Sequence, residues 1–206
     1  MPDSRFDKSV FINCPFDDLY RPLLRALLFT VIDCDLEPRI ASESAHSGEP
    51  RIEKIKRLIR ESFYSIHDIS RIVPLTGTEL PRFNMPFELG LDLGCCHFGA
   101  PPLSEKRCLI LEEKKYRYQE VLSDIAGQDI KSHDSDPQKI VKQVRNWLVE
   151  TLRIKLPSGT QIWQRFNVFQ AALEIEMEKG GYDRDEIVSM PDAEFMDYVK
   201  EWKSSN

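Results

Sequence analysis

In the stretch RFNMPFELGLDLGCCHFG, residues 82–99, an acid, Glu88, falls almost at once inside an apolar run with helical spacing. With Asn84 as N-cap and Pro86 in the first turn, Glu88 lies about one turn into the helix, where the macrodipole favours the ionised carboxylate. A charged, partly shielded carboxylate can attack, or electrostatically stabilise, an oxocarbenium-like centre at a sugar C1. The plainer alternative is a first-turn acid that only complements the dipole. Asp92, four residues on, is a possible second acid or a solvated neighbour on the same face. Gly90 and Gly94 would let this helix approach a sheet closely.

Other reactive types are less well arranged. His67-Asp68 ends an apolar run and could touch a ribose or base, or Asp68 could cap a turn. Cys14 has no electropositive neighbourhood in INCPF, so a thiol triad with His67 and Asp68 yields to a buried thiol. The turn INCPFDD has neither the G-x-G-x-x-G of a dinucleotide fold nor a P-loop. No metal site is expected, because His46, His67, His97 and His133 are scattered and no cysteine pair adds ligand spacing. A phosphoreceiver is disfavoured because Asp17 and Asp18 come late after the first strand and Lys131 sits in a doubtful context.

These residues need a scaffold, and the first two thirds of the chain predict one. Short β-branched runs alternate with helical patterns, as in an α/β protein with a mostly parallel sheet of five strands: 9–14, 37–42, 64–70, 107–113 and, weakest, 128–133. Helices are predicted from about Tyr20, over 51–62, after the polar loop 71–84, and over 137–154. In the second of these, Ile52, Ile55, Leu58 and Ile59 face inward, and Arg51, Lys54, Lys56, Arg57 and Arg60 outward. Parallel sheets place ligands at the carboxyl ends of their strands, which directs attention to residues 13–18, 42–49, 67–70 and the start of the Glu88 helix.

Residues 1–156 thus read as one α/β domain and 157–206 as a helical extension with two helical patterns. Trp163, Phe166, Phe169, Leu173 and Met177 form one stripe; Phe195, Met196, Val199 and Trp202 form the other. Such stripes pack on the domain or, alternatively, form a self-association surface. The 206 residues are 41% hydrophobic and 30% charged, with a formal net charge of −6, which gives no electrostatic case for a nucleic-acid partner. No apolar run approaches the roughly 20 residues of a membrane span, and MPDSRFDKS lacks the core of a secretion signal, so a cytoplasmic protein is expected. Five cysteines without a C-x-x-C pair read as reduced thiols.

VFINCPFDDLY, EPRIASESAHSGE, SIHDIS and NMPFELGLDLG, in this order, resemble the superfamily that joins nucleoside 2-deoxyribosyltransferase-like enzymes and TIR-like domains. The resemblance covers roughly residues 8–150 and implies a flavodoxin-like sandwich. Pro15-Phe16 matches the turn after the first strand, and Glu88-Leu89-Gly90 the context of the catalytic glutamate. Phe11 stands where many transferases carry an orienting tyrosine, and Arg82-Phe83-Asn84 replaces their acidic, Gly/Thr-rich loop, which points to hydrolysis rather than base exchange. The resemblance implies an N-glycosidase acting on NAD or a related nucleotide, with NAD as substrate and no cofactor. Glu88 would be catalytic, Asn84 and Asp68 would position ribose or base, Phe16 would pack on the base, and Asn13 would line the site. Arg39 and Arg82 are candidates for the phosphates. It further implies activity gated by self-association, through the C-terminal helices, and a bacterial antiviral role. A non-catalytic nucleotide-sensing or protein-interaction domain is the competing expectation.

Overall fold

The central strands are buried on both faces, and their side chains divide between the two sides of the sheet by simple alternation. The computed structural model describes residues 5–43, 46–74 and 80–206. Its five strands are β1 (Ser9–Asn13), β2 (Glu37–Ile40), β3 (Tyr64–Asp68), β4 (Arg107–Glu112) and β5 (Lys131–Ser132). They form one all-parallel sheet of order β2-β1-β3-β4-β5. Seven α-helices accompany them among the described residues: α1 (Arg21–Asp33), α2 (Arg51–Arg60), α3 (Asn84–Phe98), α4 (Pro137–Leu152), α5 (Gly159–Lys179), α6 (Arg184–Ser189) and α7 (Asp192–Ser205). The architecture is that of a flavodoxin-like α/β fold.

Val10, Ile12, Ile66, Leu109 and Leu111 point to α1 and α4, whereas Phe11 and Ile110 point to the side covered by α2 and α3. The order reverses between β1 and β3, which opens a crevice at the carboxyl ends of those strands. Residues 157–206 do not form a separate core. Phe166, Phe169, Leu173, Met177, Phe195 and Val199 join the α1–α4 cluster, and Phe29 of α1 meets Phe166, Phe169 and Trp202 at centroid distances of 5.3, 5.5 and 5.9 Å. The aromatic stripes are therefore core. Polar ties reinforce the docking: Arg25 donates to the carbonyls of Ile187 and Val188 at 2.7 and 3.1 Å.

Boundaries differ from expectation where a local hydrogen bond decides. β3 stops at Asp68 because the Asp68 carboxylate accepts from Ser70 N at 2.9 Å and turns the chain into a 3-10 segment at Ser70–Ile72. β5 spans only two residues rather than 128–133, since Gln128 N and Ile130 N are engaged in turns with Ile125 O and Gln128 O. α4 ends at Leu152, where Arg153 turns left-handed at φ 58° and donates to Val149 O. A third C-terminal helix, α6, starts on a reciprocal capping box between Asp183 and Glu186, a D-x-x-E signal legible in the sequence but not read there. In α2, Ile52 is exposed, and Lys54, expected outward, is buried. An added Cβ at Gly90 would meet nothing within 4 Å, so close packing against the sheet is not its role. Among the described residues, no helix is long and apolar enough to cross a membrane.

Asp136 caps α4 by accepting from Gln138 N at 2.8 Å and Lys139 N at 3.4 Å. Asp136→Ala is expected to cost about 1 kcal/mol in urea unfolding, with no change in slope.

Candidate functional site

Asn13, at the end of β1, is the hinge on which Glu88 is placed. Its side-chain amide donates to Met85 O in the first turn of α3 at 2.9 Å, fixing the helix start against the strand end. Asn13 also donates to His67 Nδ1 at 3.0 Å, which leaves the proton on Nε2 and directs it to Asp92 Oδ2, 3.0 Å away. The opposite oxygen of Asp92 faces Lys106 Nζ at 3.4 Å. Lys106 in turn donates to the carbonyls of Ile59, in the last turn of α2, and Ser62, just past it. A buried polar line thus runs beneath α3, and Asp92 is part of it rather than a solvated neighbour of Glu88. Burial works against the Asp92 charge, but His67 and Lys106 outweigh it and hold the carboxyl below its ordinary range. The donor atoms of His67, Asp92 and Cys108 lie within 4.8 Å of one another. Lys106 already supplies the positive charge there, and burial pushes the Cys108 thiol up to about 12, so this trio does not fit a cation.

Glu88 is 4% exposed and opens on a cleft of about 450 Å³ lined by Arg51, Ile52, Ile55, Phe83, Asn84 and Phe87. Its polar partner is Arg51, whose Nη2 stands 3.5 Å from Oε1. Burial raises the carboxyl above its ordinary range, and Arg51 and His67 only partly offset this. The expectation that the macrodipole favours the ionised carboxylate meets an opposing effect, since burial disfavours the charge. Asn84 is not the cap either. It is the first helical residue, it is exposed, and Phe83 precedes it without a side-chain capping bond. It lines the cleft beside Glu88.

Asp68 is wholly buried, and its oxygens are taken by Tyr20 OH, by Ser70 N and Oγ, and by His133 Nε2 at 2.9 Å. A substrate contact is thereby replaced by a structural knot joining the start of α1, the end of β3 and the β5–α4 turn. Asp68, His133 and Ser70 do not form a hydrolytic triad. The carboxylate and the hydroxyl both meet the same nitrogen, Nε2, while Nδ1 accepts from Ser135 N at 3.1 Å. Cys14 is 1% exposed, and its thiol is raised well above the ordinary value by burial and by Asp68, Asp192, Glu88 and Asp17.

Burial disfavours the Asp68 charge, yet His133, Ser70 and Tyr20 hold its carboxyl below the ordinary value. A depressed folded-state pKa contributes stability above the unfolded value, roughly 3.9, that is lost as pH falls through the folded one. Unfolding followed between pH 7 and 2 should accordingly show less acid sensitivity in Asp68→Asn than in the parent.

The other candidates lie around the crevice mouth or away from it. Phe16 lines an adjoining hollow of about 270 Å³ with Asp17, Arg21, Ala41, Ser42, Arg51 and Asp192. Arg82 is half exposed and stands 3.8 Å from Asp17, which Arg71 grips through two bonds of 3.1 Å. Arg39 is not brought to Glu88. Glu43 and Glu61 hold it at 2.8 and 3.2 Å, and it lines a separate hollow of about 1020 Å³ at the amino ends of the strands. Ligands of such sheets bind at the opposite edge. Arg51, Phe83 and Phe87 were missed. Arg51 read as a solvated helix face, and the phenylalanines as part of an apolar run; the phenylalanines were signalled by their nearness to Glu88 in the sequence, whereas nothing in the sequence signalled Arg51. No family model, curated protein or solved structure matches this chain.

Proposed function

We propose that the chain is an N-glycosidase of the TIR-like and deoxyribosyltransferase-like superfamily that hydrolyses NAD or a related nucleotide. The observation that carries the reading is Glu88, among the described residues the one carboxylate lining an aromatic-walled cleft beside the strand-end crevice. Phe83 and Phe87 expose their rings there and offer flat surfaces to a base.

Among the described residues the cleft offers a single carboxylate, and that bears on which leaving group suits the site. Glycosidases acting on neutral leaving groups use two carboxyls, one of them to protonate the departing atom. Nicotinamide in NAD is already a pyridinium, so the C1′–N bond breaks with its electron pair moving to nitrogen, and neutral nicotinamide departs without an added proton. Ionised Glu88 stabilises the oxocarbenium centre left at C1′. Water then adds its oxygen to C1′ and releases a proton to solvent, giving the ribosyl hydrolysis product. Asp92 has no part in this, since its oxygens face His67 and Lys106.

The nucleotide-sensing alternative is favoured by one contact, the 3.5 Å Arg51–Glu88 pair, which ties α2 to α3 and would serve a non-catalytic domain equally. Incubation of the protein with NAD, and separately with purine nucleosides, separates the two. Nicotinamide release with little release from the nucleosides is the expected result. No release from any substrate over a wide range of protein concentration would favour the sensor. Gating by self-association, and a role in bacterial defence through NAD loss, accord with this activity. Because the aromatic stripes are core, such contacts would use outward residues such as Val168 and Ile175 of α5.

A further inference from the structure

We propose that the hollow lined by Phe16, Arg21, Ser42 and Arg51 is a phosphate subsite, with Arg51 as the ligand shared with the Glu88 cleft and Asp192 as its built-in competitor. The proposal rests on the glycosidase reading for the position of the ribose, and it names the substrate class: a nucleotide with a 5′-phosphate rather than a nucleoside.

Arg51 lines both the 270 Å³ hollow and the 450 Å³ cleft, and among the described residues no other lines both. Its side chain is 56% exposed, and its contact with Glu88 is long, at 3.5 Å, so the guanidinium is free to turn toward a second anion. Arg21 adds a second cation. It pairs with exposed Asp18 at 2.8 Å, while its buried Nε has no hydrogen-bond partner among the described residues. Ser42 contributes a hydroxyl, at present donated to Asp192 Oδ2 at 2.7 Å. A carboxylate from the C-terminal segment thus already occupies the hydroxyl donor of a hollow walled by two arginines. Asp17 also lines it, but Arg71 neutralises that charge through its paired bonds.

Occupation by phosphate has a consequence for the chemistry. When Arg51 turns to the phosphate, Glu88 loses its counter-charge at the moment a cation is to form at C1′, which strengthens the pull of the carboxylate on that centre.

The test is calorimetric binding of nicotinamide mononucleotide and nicotinamide riboside to Glu88→Gln protein, which does not turn them over. The mononucleotide is expected to bind about tenfold tighter than the riboside. Adding Arg51→Ala should abolish that difference, weakening the mononucleotide about tenfold more than the riboside. Adding Asp192→Asn should tighten the mononucleotide several-fold and leave the riboside alone. Equal binding of the two ligands, or an Arg51→Ala loss shared equally by both, overturns the subsite while nicotinamide release by the parent would still stand. Pyrophosphate provides an arm independent of the glycosidase reading. Binding to the parent that Arg51→Ala removes supports the subsite even if no base is ever released, and absence of binding to the parent overturns it. Circular dichroism of each variant establishes that the fold is retained.

Discussion

Glu88→Gln is expected to lower nicotinamide release from NAD by about a thousandfold or more, equivalent to roughly 4 kcal/mol of transition-state stabilisation. The amide keeps the shape of the side chain and its hydrogen-bonding reach but carries no charge for the ribosyl cation. Loss should appear in kcat, with little change in KM, because the charge acts in the transition state rather than on bound substrate. Folding stability should move the other way. Burial raises the Glu88 carboxyl above its ordinary value. A raised folded-state pKa favours the fold below the unfolded value, roughly 4.3, and that contribution is lost as pH rises through the folded one. At pH 7 the carboxylate therefore weighs against folding, and glutamine should stabilise the protein by about 0.5–2 kcal/mol. The same shift places the acid limb of the rate–pH profile above the ordinary carboxylate range. Base release by Glu88→Gln at the parental rate would refute the mechanism. A fall in activity accompanied by a fall in stability would assign Glu88 to structure.

Asp92→Ala is expected to cost about 3–5 kcal/mol in urea unfolding, the largest stability effect predicted for this protein. The substitution leaves the Lys106 ammonium, 5% exposed, without its 3.4 Å counter-ion, and it removes the acceptor of the His67 Nε2 proton. Lys106→Met alone should also destabilise, since it strips Asp92 of a charge partner and the carbonyls of Ile59 and Ser62 of their donor. The pair should couple: Asp92→Leu with Lys106→Met should lose less than the two single costs added together, because no buried charge is then left unpaired. A cost below about 1 kcal/mol for Asp92→Ala would show that the line of polar contacts beneath α3 carries little. If Asp92→Ala also lowers base release, the loss should follow from a displaced α3 and vary with temperature alongside unfolding.

Much of the scaffold was legible because it depends on periodicity. SVFIN and YSIHD are buried throughout and RCLILE from Leu109 onward, as strands in a covered parallel sheet must be, and the stripes of α1, α4 and α5 repeat at helical spacing. What was not legible depends on partners far along the chain. Nothing in SIHDIS shows that Asp68 will be surrounded by Tyr20 and His133, and nothing in RIEKIKRLIR marks Arg51, on the exposed face of α2, as the residue opposite Glu88. The reading of Asn84 as a cap followed from residue preference, but the helix takes it as its first residue. Glu88 was identifiable as a candidate from its segment; its charge balance was not, because desolvation is set by the α2 wall rather than by the helix that carries it.

The cage around Phe29 governs how the protein can be made. Phe29 lies on the first helix, whereas the rings that enclose it, Phe166, Phe169 and Trp202, come from the last third of the chain. A nascent chain that has emerged through Leu156 has every strand of its sheet, yet the outer flank of α1 still lacks α5 and α7. Co-translational folding ordinarily completes early domains first. Here the apolar flank of α1 stays open until α5 and α7 have emerged, so a chain cut short before α5 is expected to expose that flank and to aggregate more readily than the full sequence.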